Sequence, residues 1–283
     1  MPDRIAIVTD STSSLPADVV EQYDLRVVPL QVVVGDECLT EGIDLAPSDV
    51  AAALGAHRPV STSRPAPEVI ARTYAELAGS GVSQILSIHL SAEVSGTFES
   101  AQMAARSATI PVHCVDSRQV GMGTGFAVTA AAELLAAGAP VEKAIAAAKT
   151  RGDSTATYFY VDTLEYLRRG GRVSMVGALV GSALAVKPLL TIDDGRIGPL
   201  EKVRTSARAL NRLRELAVAF ARSSGGTFDV AVQHLAAEER AHEVANALAD
   251  ELALEDVRVL EVGAAVGAHV GPGMVAVVVA PRL

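Results

Sequence analysis

The sequence predicts an α/β protein of two domains, the first built on a mainly parallel sheet. Three observations carry this. Short β-rich apolar runs alternate with alanine-rich helical patterns through the first half, the order that lays helices over a parallel sheet. Two of those runs, 84–89 and 112–115, end in small or polar residues, as buried parallel strands do before a loop. The pattern then changes near residues 155–165, which divides the chain into an N-terminal α/β domain over 1–160 and a C-terminal α/β domain over 161–283.

In order, residues 5–9 read as a strand, 15–23 as a helix and 26–34 as a strand. A helix over 66–80, the strand 84–89, a helix over 96–108 and the strand 112–115 follow. Helices over 121–137 and 141–150 are separated by Gly138-Ala139-Pro140, and Arg151-Gly152-Asp153 is a further break. The second half opens with a strand over 156–161 and a short helix over 164–169. After Gly170-Gly171 comes an apolar stretch over 173–185. Residues 189–193 and 196–203 form a hairpin through Asp194-Gly195, a pair that tolerates positive φ. A helix over 206–223, a strand over 230–234, a helix over 236–252 and strands over 257–262 and 274–280 complete the reading.

Composition narrows the function. Of 283 residues, 24 are Lys or Arg and 33 are Asp or Glu, a net charge of −9. An acidic chain with five Tyr, five Phe and no Trp offers neither phosphate neutralisation nor stacking platforms, so no nucleic-acid partner is expected. An apolar share of 49 % excludes intrinsic disorder, and two cysteines exclude a disulfide scaffold. The stretch 173–192 is interrupted by Ser174, Ser182, Lys187, Pro188 and Thr191, so it reads as a buried segment and no integral membrane segment is expected. The first residues lack a charged region followed by a long apolar one, and Cys38 and Cys114 lack CxxC partners. Both cysteines read as small packing residues, and the location as cytoplasmic.

Four loops gather hydroxyls and glycines after strand ends, where α/β folds place ligands. They are Asp10-Ser11-Thr12-Ser13; Ser61-Thr62-Ser63-Arg64-Pro65; Ser91-Ala92-Glu93-Val94-Ser95-Gly96-Thr97; and Gly267-Ala268-His269-Val270-Gly271-Pro272-Gly273. The first two also read as helix N-caps, the third as an ordinary βα loop, and His269 also reads as a structural hydrogen-bonder. The remaining histidines show no metal-ligand spacing, so no metal is expected. Gly121-Met122-Gly123-Thr124-Gly125 lacks the third glycine of a dinucleotide loop, Phe126 standing there, and neither a phosphate-binding GxxxxGK[ST] nor a GxSxG elbow occurs.

Read together, the motifs resemble one family. Asp10-Ser11-Thr12, Thr62-Ser63-Arg64-Pro65, Leu90-Ser91, Val94-Ser95-Gly96-Thr97-Phe98, Val115-Asp116-Ser117, the run from Leu164 to Ser174, Lys187-Pro188 and His269-Val270-Gly271-Pro272-Gly273 occur in that order over essentially the whole chain. The pattern resembles the DegV family, bacterial fatty-acid-binding proteins that serve a fatty acid kinase. Departures are Arg64, Val94, Phe98 and Val270, where the family usually has Gln, Leu, Tyr and Thr. The resemblance implies a two-domain DegV-like fold with a long-chain fatty acid such as palmitate held between the domains. It implies no cofactor and no catalytic residue. The carboxyl group is then held by Thr62 and Ser95, with Ser63 and Gly96 beside them and with His269 and Arg204 near the head group. The implied partner is a fatty acid kinase, which converts the presented carboxylate to an acyl phosphate for phospholipid synthesis.

The chemistry of the residues is compatible. A C16 acid buries about 14 methylenes at ~0.8 kcal/mol each, and association costs offset part of that gain. The small residues Gly177, Ala178, Gly181, Ala183 and Ala185 suit a tunnel lining, and equally an ordinary core. Arg168, Arg169 and Arg172 read either as a solvated face or as a kinase-docking patch. Two other functions stay open: a hydrolase or phosphotransfer enzyme using Ser95 or Ser11 as nucleophile with His269 as base, and an interaction protein whose lipid is incidental.

Overall fold

In the computed structural model, residues 4–172, 187–255 and 257–282 are described. The N-terminal sheet is parallel throughout, in the order β2-β1-β6-β7. Its strands are β1 (Ile5–Asp10), β2 (Arg26–Val28), β6 (Gln84–His89) and β7 (Val112–Asp116). Alternate side chains enter opposite cores, as the period of a strand requires. Ile7, Leu86 and Ile88 pack under α1 (Ala17–Gln22), α5 (Met122–Ala136) and α6 (Val141–Ser154). Val8 and Ile85 pack under α3 (Pro67–Gly79) and α4 (Thr97–Ala105). With both faces covered, the strands read as unbroken apolar runs, which is why they were legible.

The second sheet is mixed and six-stranded, in the order β10-β9-β8-β13-β11-β12. It contains β8 (Ala156–Tyr160), β9 (Lys187–Asp193), β10 (Arg196–Val203), β11 (Phe228–His234), β12 (Arg258–Glu261) and β13 (Val275–Pro281). β8 pairs with β13 and β9, so it belongs to this sheet. The boundary drawn at residue 160 is therefore too late by one strand, and Arg151-Gly152-Asp153 ends helix α6 just before the crossing. One face of the sheet, carrying Tyr160, Leu189, Val275 and Val277, packs on α8 (Ser206–Ser223) and α9 (Glu238–Leu252). The other face carries Phe159, Leu190, Ile192, Met274 and Ala276.

A third, three-stranded sheet was not predicted. β3 (Gln31–Val34) lies between β4 (Glu37–Thr40) and β5 (Val60–Ser63), with α2 (Pro47–Gly55) between β4 and β5 in sequence. The run 26–34 breaks into β2 and β3 at Pro29-Leu30, since proline cannot donate to a ladder. This sheet packs on α10 (Ala264–Val270) through Val32, Val50, Leu54, Ala264, Ala265 and Ala268. A short α7 (Glu165–Arg169) follows β8, and Tyr166 joins the same cluster. The proposed lining residues Gly177, Ala178, Gly181, Ala183 and Ala185 lie outside the described residues. No helix among those described is long and apolar enough to cross a membrane.

Candidate functional site

The cavity-facing side of the six-stranded sheet meets α5 where Ala231 and Val278 pack on Met122 and Phe126. It forms one wall of an apolar cavity, with Phe159, Ile192, Met274 and Ala276 on it. The opposite walls come from the first sheet's loops, from β5 and from α10, which supply Leu90, Thr62 and Val266. The empty space between these walls, its mouth and open solvent included, is about 800 Å³.

The polar end is built from three segments. β5 alternates, so Thr62 turns inward while Ser61 and Ser63 are exposed. The hydroxyl cluster expected as a helix start is thus a strand, and α3 begins only at Pro67. α10 brings in His269 in its last turn, where a loop was expected. The helix ends at Gly271, whose φ of +75° suits glycine and whose absent Cβ would lie 2.1 Å from the Tyr166 ring. At its other end the Ala265 N–H donates to Glu41 Oε1 at 2.8 Å. Ser11 donates to the second oxygen of the same carboxylate, so Glu41 fastens α10 to both the first loop and the third sheet. Burial pushes the Glu41 carboxyl up, opposed by those two hydrogen bonds.

His269 Nε2 lies 2.8 Å from Thr62 Oγ1. Its Nδ1 is buried with no hydrogen-bond partner among the described residues, pressed against Gly170, where a Cβ would lie 2.1 Å from it. An unanswered buried N–H is costlier than an unanswered acceptor, which places the ring proton on Nε2. The ring then donates to Thr62, and Thr62 keeps its own proton for a ligand. Burial and the neighbouring Arg172 charge push the His269 imidazole down to about 4, so it is neutral at pH 7.

Arg172 departs from the surface cluster proposed for it. It is half-buried on the cavity wall, donates from Nε to Val94 O at 3.0 Å and from Nη1 to Gly170 O. A guanidinium has five N–H donors, and those not so used remain for an anion. Arg168 and Arg169 are exposed, Arg169 pairing with Glu165 one turn back.

Ser95 lines the same cavity. Its Oγ accepts from the Thr97 N–H at 3.4 Å and shares a hydrogen bond with Thr97 Oγ1 at 2.9 Å. With Thr97 as donor, the Ser95 proton is available. The loop is anchored from the other domain: Ser91 Oγ donates to Gly195 O at 2.7 Å, and Arg196 pairs with Glu93 at 2.8 Å. Thr12 also lines the cavity, but its hydroxyl proton goes to Asp10 Oδ1 at 2.5 Å.

Three residues expected beside the head group lie off the cavity lining. Ser63 is exposed on the far face of β5. Gly96 lies under Arg64, whose side chain a Cβ would meet at 2.6 Å. Arg204 sits in an exposed bend after β10, outside the cavity lining. Ser11 serves Glu41 and the Leu30 N–H. Neither Ser11 nor Ser95 is bonded to His269, whose partner is a threonine. Cys38 is exposed, not a packing residue, whereas Cys114 is half-buried. Among the described residues no group of three or more His, Cys, Asp or Glu side chains is placed to hold a metal. Sequence reasoning also missed Gln233, which with His234 ends the apolar run of β11.

Thr62, Arg172 and His269 border a second space as well. It is a cleft of mixed lining that reaches the exposed residues His57, Ser61 and Arg169 and also touches Tyr166. The three side chains therefore stand at the junction of an apolar interior and a wet, basic exterior.

Comparison with known proteins agrees with this architecture. Residues 4–282 match the family model described as "Uncharacterised protein, DegV family". A DegV domain-containing protein of Streptomyces coelicolor is 52 % identical over 283 residues, covering 100 % of both chains. Protein DegV of Bacillus subtilis is 36 % identical over 274 residues, covering 95 % of this chain and 96 % of that one. Among solved structures, "DegV, a fatty acid binding protein from Bacillus subtilis" superposes with a TM-score of 0.91 at 34 % identity, covering 99 % of this chain and 100 % of that one. A DegV family protein from Thermus thermophilus, described by its fatty acid binding, gives 0.89 at 31 % identity, covering 98 % and 99 %. With the family model spanning nearly the whole chain and the relatives matching it end to end, this protein belongs to the DegV family.

Proposed function

We propose that the protein binds a long-chain fatty acid, with its tail in the apolar cavity and its carboxylate on Thr62 and Ser95, and presents that carboxylate to a fatty acid kinase. One observation carries the reading: Thr62, His269 and Arg172 line the apolar cavity and the second cleft at once. An acid held there has a buried chain and a reachable head group. The Thr62 and Ser95 hydroxyls donate to the carboxylate, the neutral His269 ring orients Thr62, and Arg172 supplies positive charge. A bound palmitate gains roughly 11 kcal/mol from its buried methylenes before association costs, which supports tight but reversible binding. The neighbours whose descriptions name fatty acid binding support the ligand class. The kinase is supported by the exposed residues His57, Ser61 and Arg169 of the cleft and by exposed Arg168 next to Arg169. The protein then acts as a carrier without chemistry of its own, and two cysteines free of disulfide bonds suit a cytoplasmic setting.

Native mass spectrometry of the purified protein, with identification of the co-purified lipid, tests the ligand. A fatty acid should be found, and Thr62→Ala with Ser95→Ala should weaken binding by tenfold or more (about 1.4 kcal/mol per factor of ten). Unchanged affinity in that double variant sinks the head-group assignment. Charge reversal at Arg168 and Arg169 should leave fatty acid binding intact and depress acyl phosphate formation by the kinase.

A further inference from the structure

Besides His269 Nδ1, the cavity wall holds a second buried polar atom that the described residues leave unanswered, on Gln233. Gln233 lies on the cavity face of the six-stranded sheet, opposite Ala276, which in turn lies opposite Phe159. All three line the cavity, and Gln233 is 2 % exposed. Its amide cannot turn freely, because the Met122 N–H donates to Gln233 Oε1 at 2.9 Å. Gly121 presses on the same amide: a Cβ there would lie 2.3 Å from Oε1, and its φ is +65°. The other end of the amide, Nε2, is buried and has no hydrogen-bond partner among the described residues. No hydrogen bond joins Gln233 to the Thr62–His269 pair, since its one bond runs to the start of α5.

An apolar cavity wall gains nothing from a glutamine when the ligand is a plain hydrocarbon chain. A buried donor without an acceptor is among the costlier defects of a protein interior. An acceptor on the ligand removes the defect, whereas a saturated chain laid over it makes the defect permanent. We propose that Gln233 reads an oxygen on the acyl chain, so that the cavity prefers a long-chain acid carrying a keto or hydroxyl oxygen part-way along its length. The inference rests on the fatty acid reading and adds a second point of recognition, distinct from the carboxylate. A keto oxygen is the better match, because it accepts and brings no proton that would itself need a partner.

The test is a set of affinities for stearate, oleate and keto-stearates with the oxygen walked along the chain. They are measured on the parent protein and on Gln233→Leu and Gln233→Met, the second variant covering a failure of the first to fold. One oxygen position should bind about tenfold tighter than its neighbours in the parent. That preference should shrink to twofold or less in the variants, while stearate binds them at least as well as it binds the parent. A flat series in the parent overturns the proposal. So does a positional preference that survives both substitutions, or an equal loss for every acid on substitution. A parent protein with no affinity for any of the acids overturns the fatty acid reading itself.

Discussion

Two histidines in this molecule each meet a hydroxyl at 2.8 Å, yet their surroundings are opposite. His89 Nε2 meets Ser87 Oγ, and His269 Nε2 meets Thr62 Oγ1. Around His89 all the hydrogen-bonding capacity is taken up within the chain. Its Nδ1 is paired with Asp10 Oδ2 at 2.9 Å, Asp10 also accepts from the Leu90 N–H and from Thr12, and Ser87 accepts from Tyr74. Ser87, His89 and Asp10 reproduce the hydrogen-bond order of a hydrolytic triad, but each is 0 % exposed, so no substrate reaches them. They brace the ends of β1 and β6, from which the Thr12 and Ser95 loops leave. Around His269 the described residues leave the capacity incomplete: among them Nδ1 has no partner, Thr62 retains a proton and Arg172 retains donors. Saturated polar networks hold a fold, and unsaturated ones at a cavity wall await a ligand.

The sharpest way to break this comparison is to remove one member from each network. Asp10→Ala leaves the Leu90 N–H, Thr12 and His89 without their acceptor in the core, and should cost about 3–5 kcal/mol of stability. Thr62→Ala should cost under about 1 kcal/mol of stability and register instead in fatty acid binding. Denaturant midpoints and binding isotherms on the two variants separate the effects. An Asp10→Ala protein as stable as its parent would show that the buried network is not a brace.

Acid gives the next largest effect, and its sign follows from the burial of His269. The ring titrates near 6.5 when unfolded and at about 4 in the folded protein. Between those values the unfolded chain binds more protons, so stability is full above about pH 6.5 and falls as pH drops toward 4. The loss amounts to roughly 3 kcal/mol across that window. His269→Gln should flatten this part of the stability profile. A bound carboxylate favours the charged ring and should shrink the slope as well. An equally steep profile in His269→Gln would place the titration elsewhere.

The main sheets were legible because burial on both faces writes an unbroken apolar run, as in β13, and because Asp194-Gly195 announces its hairpin. The third sheet was not. β4 and β5 are four residues each, partly exposed and rich in polar side chains, and their apolar partners lie on α10, more than 200 positions away. The same distance hid the site. Thr62 and Ser95 stood out as hydroxyls beside turns, and His269 as a lone histidine among glycines. That Arg172 faces inward while Arg168 faces out depends on how the chain turns after α7, which charge spacing alone does not encode. Gln233 carried a signal, a polar residue at the end of an apolar strand, but only the cavity gives that signal a meaning.

The hairpin tip meets the Ser95 loop through one buried and one exposed contact, and so offers the finest test of the contrast. Ser91 and Gly195 are buried, whereas the Arg196–Glu93 pair beside them is about half exposed on both partners, at 54 % and 45 %. Ser91→Ala leaves the Gly195 carbonyl buried without its donor and should cost about 1–3 kcal/mol. It also loosens the loop that carries Ser95, so fatty acid should dissociate faster. Arg196→Ala removes an ion pair that water already screens, and should cost about 0–1 kcal/mol, with dissociation little changed. Ligand release rates and unfolding midpoints measured side by side on the two variants decide the matter. If Arg196→Ala releases ligand as fast as Ser91→Ala, the exposed charge pair holds the tip, and saturation of buried partners is not what fixes the head-group loop.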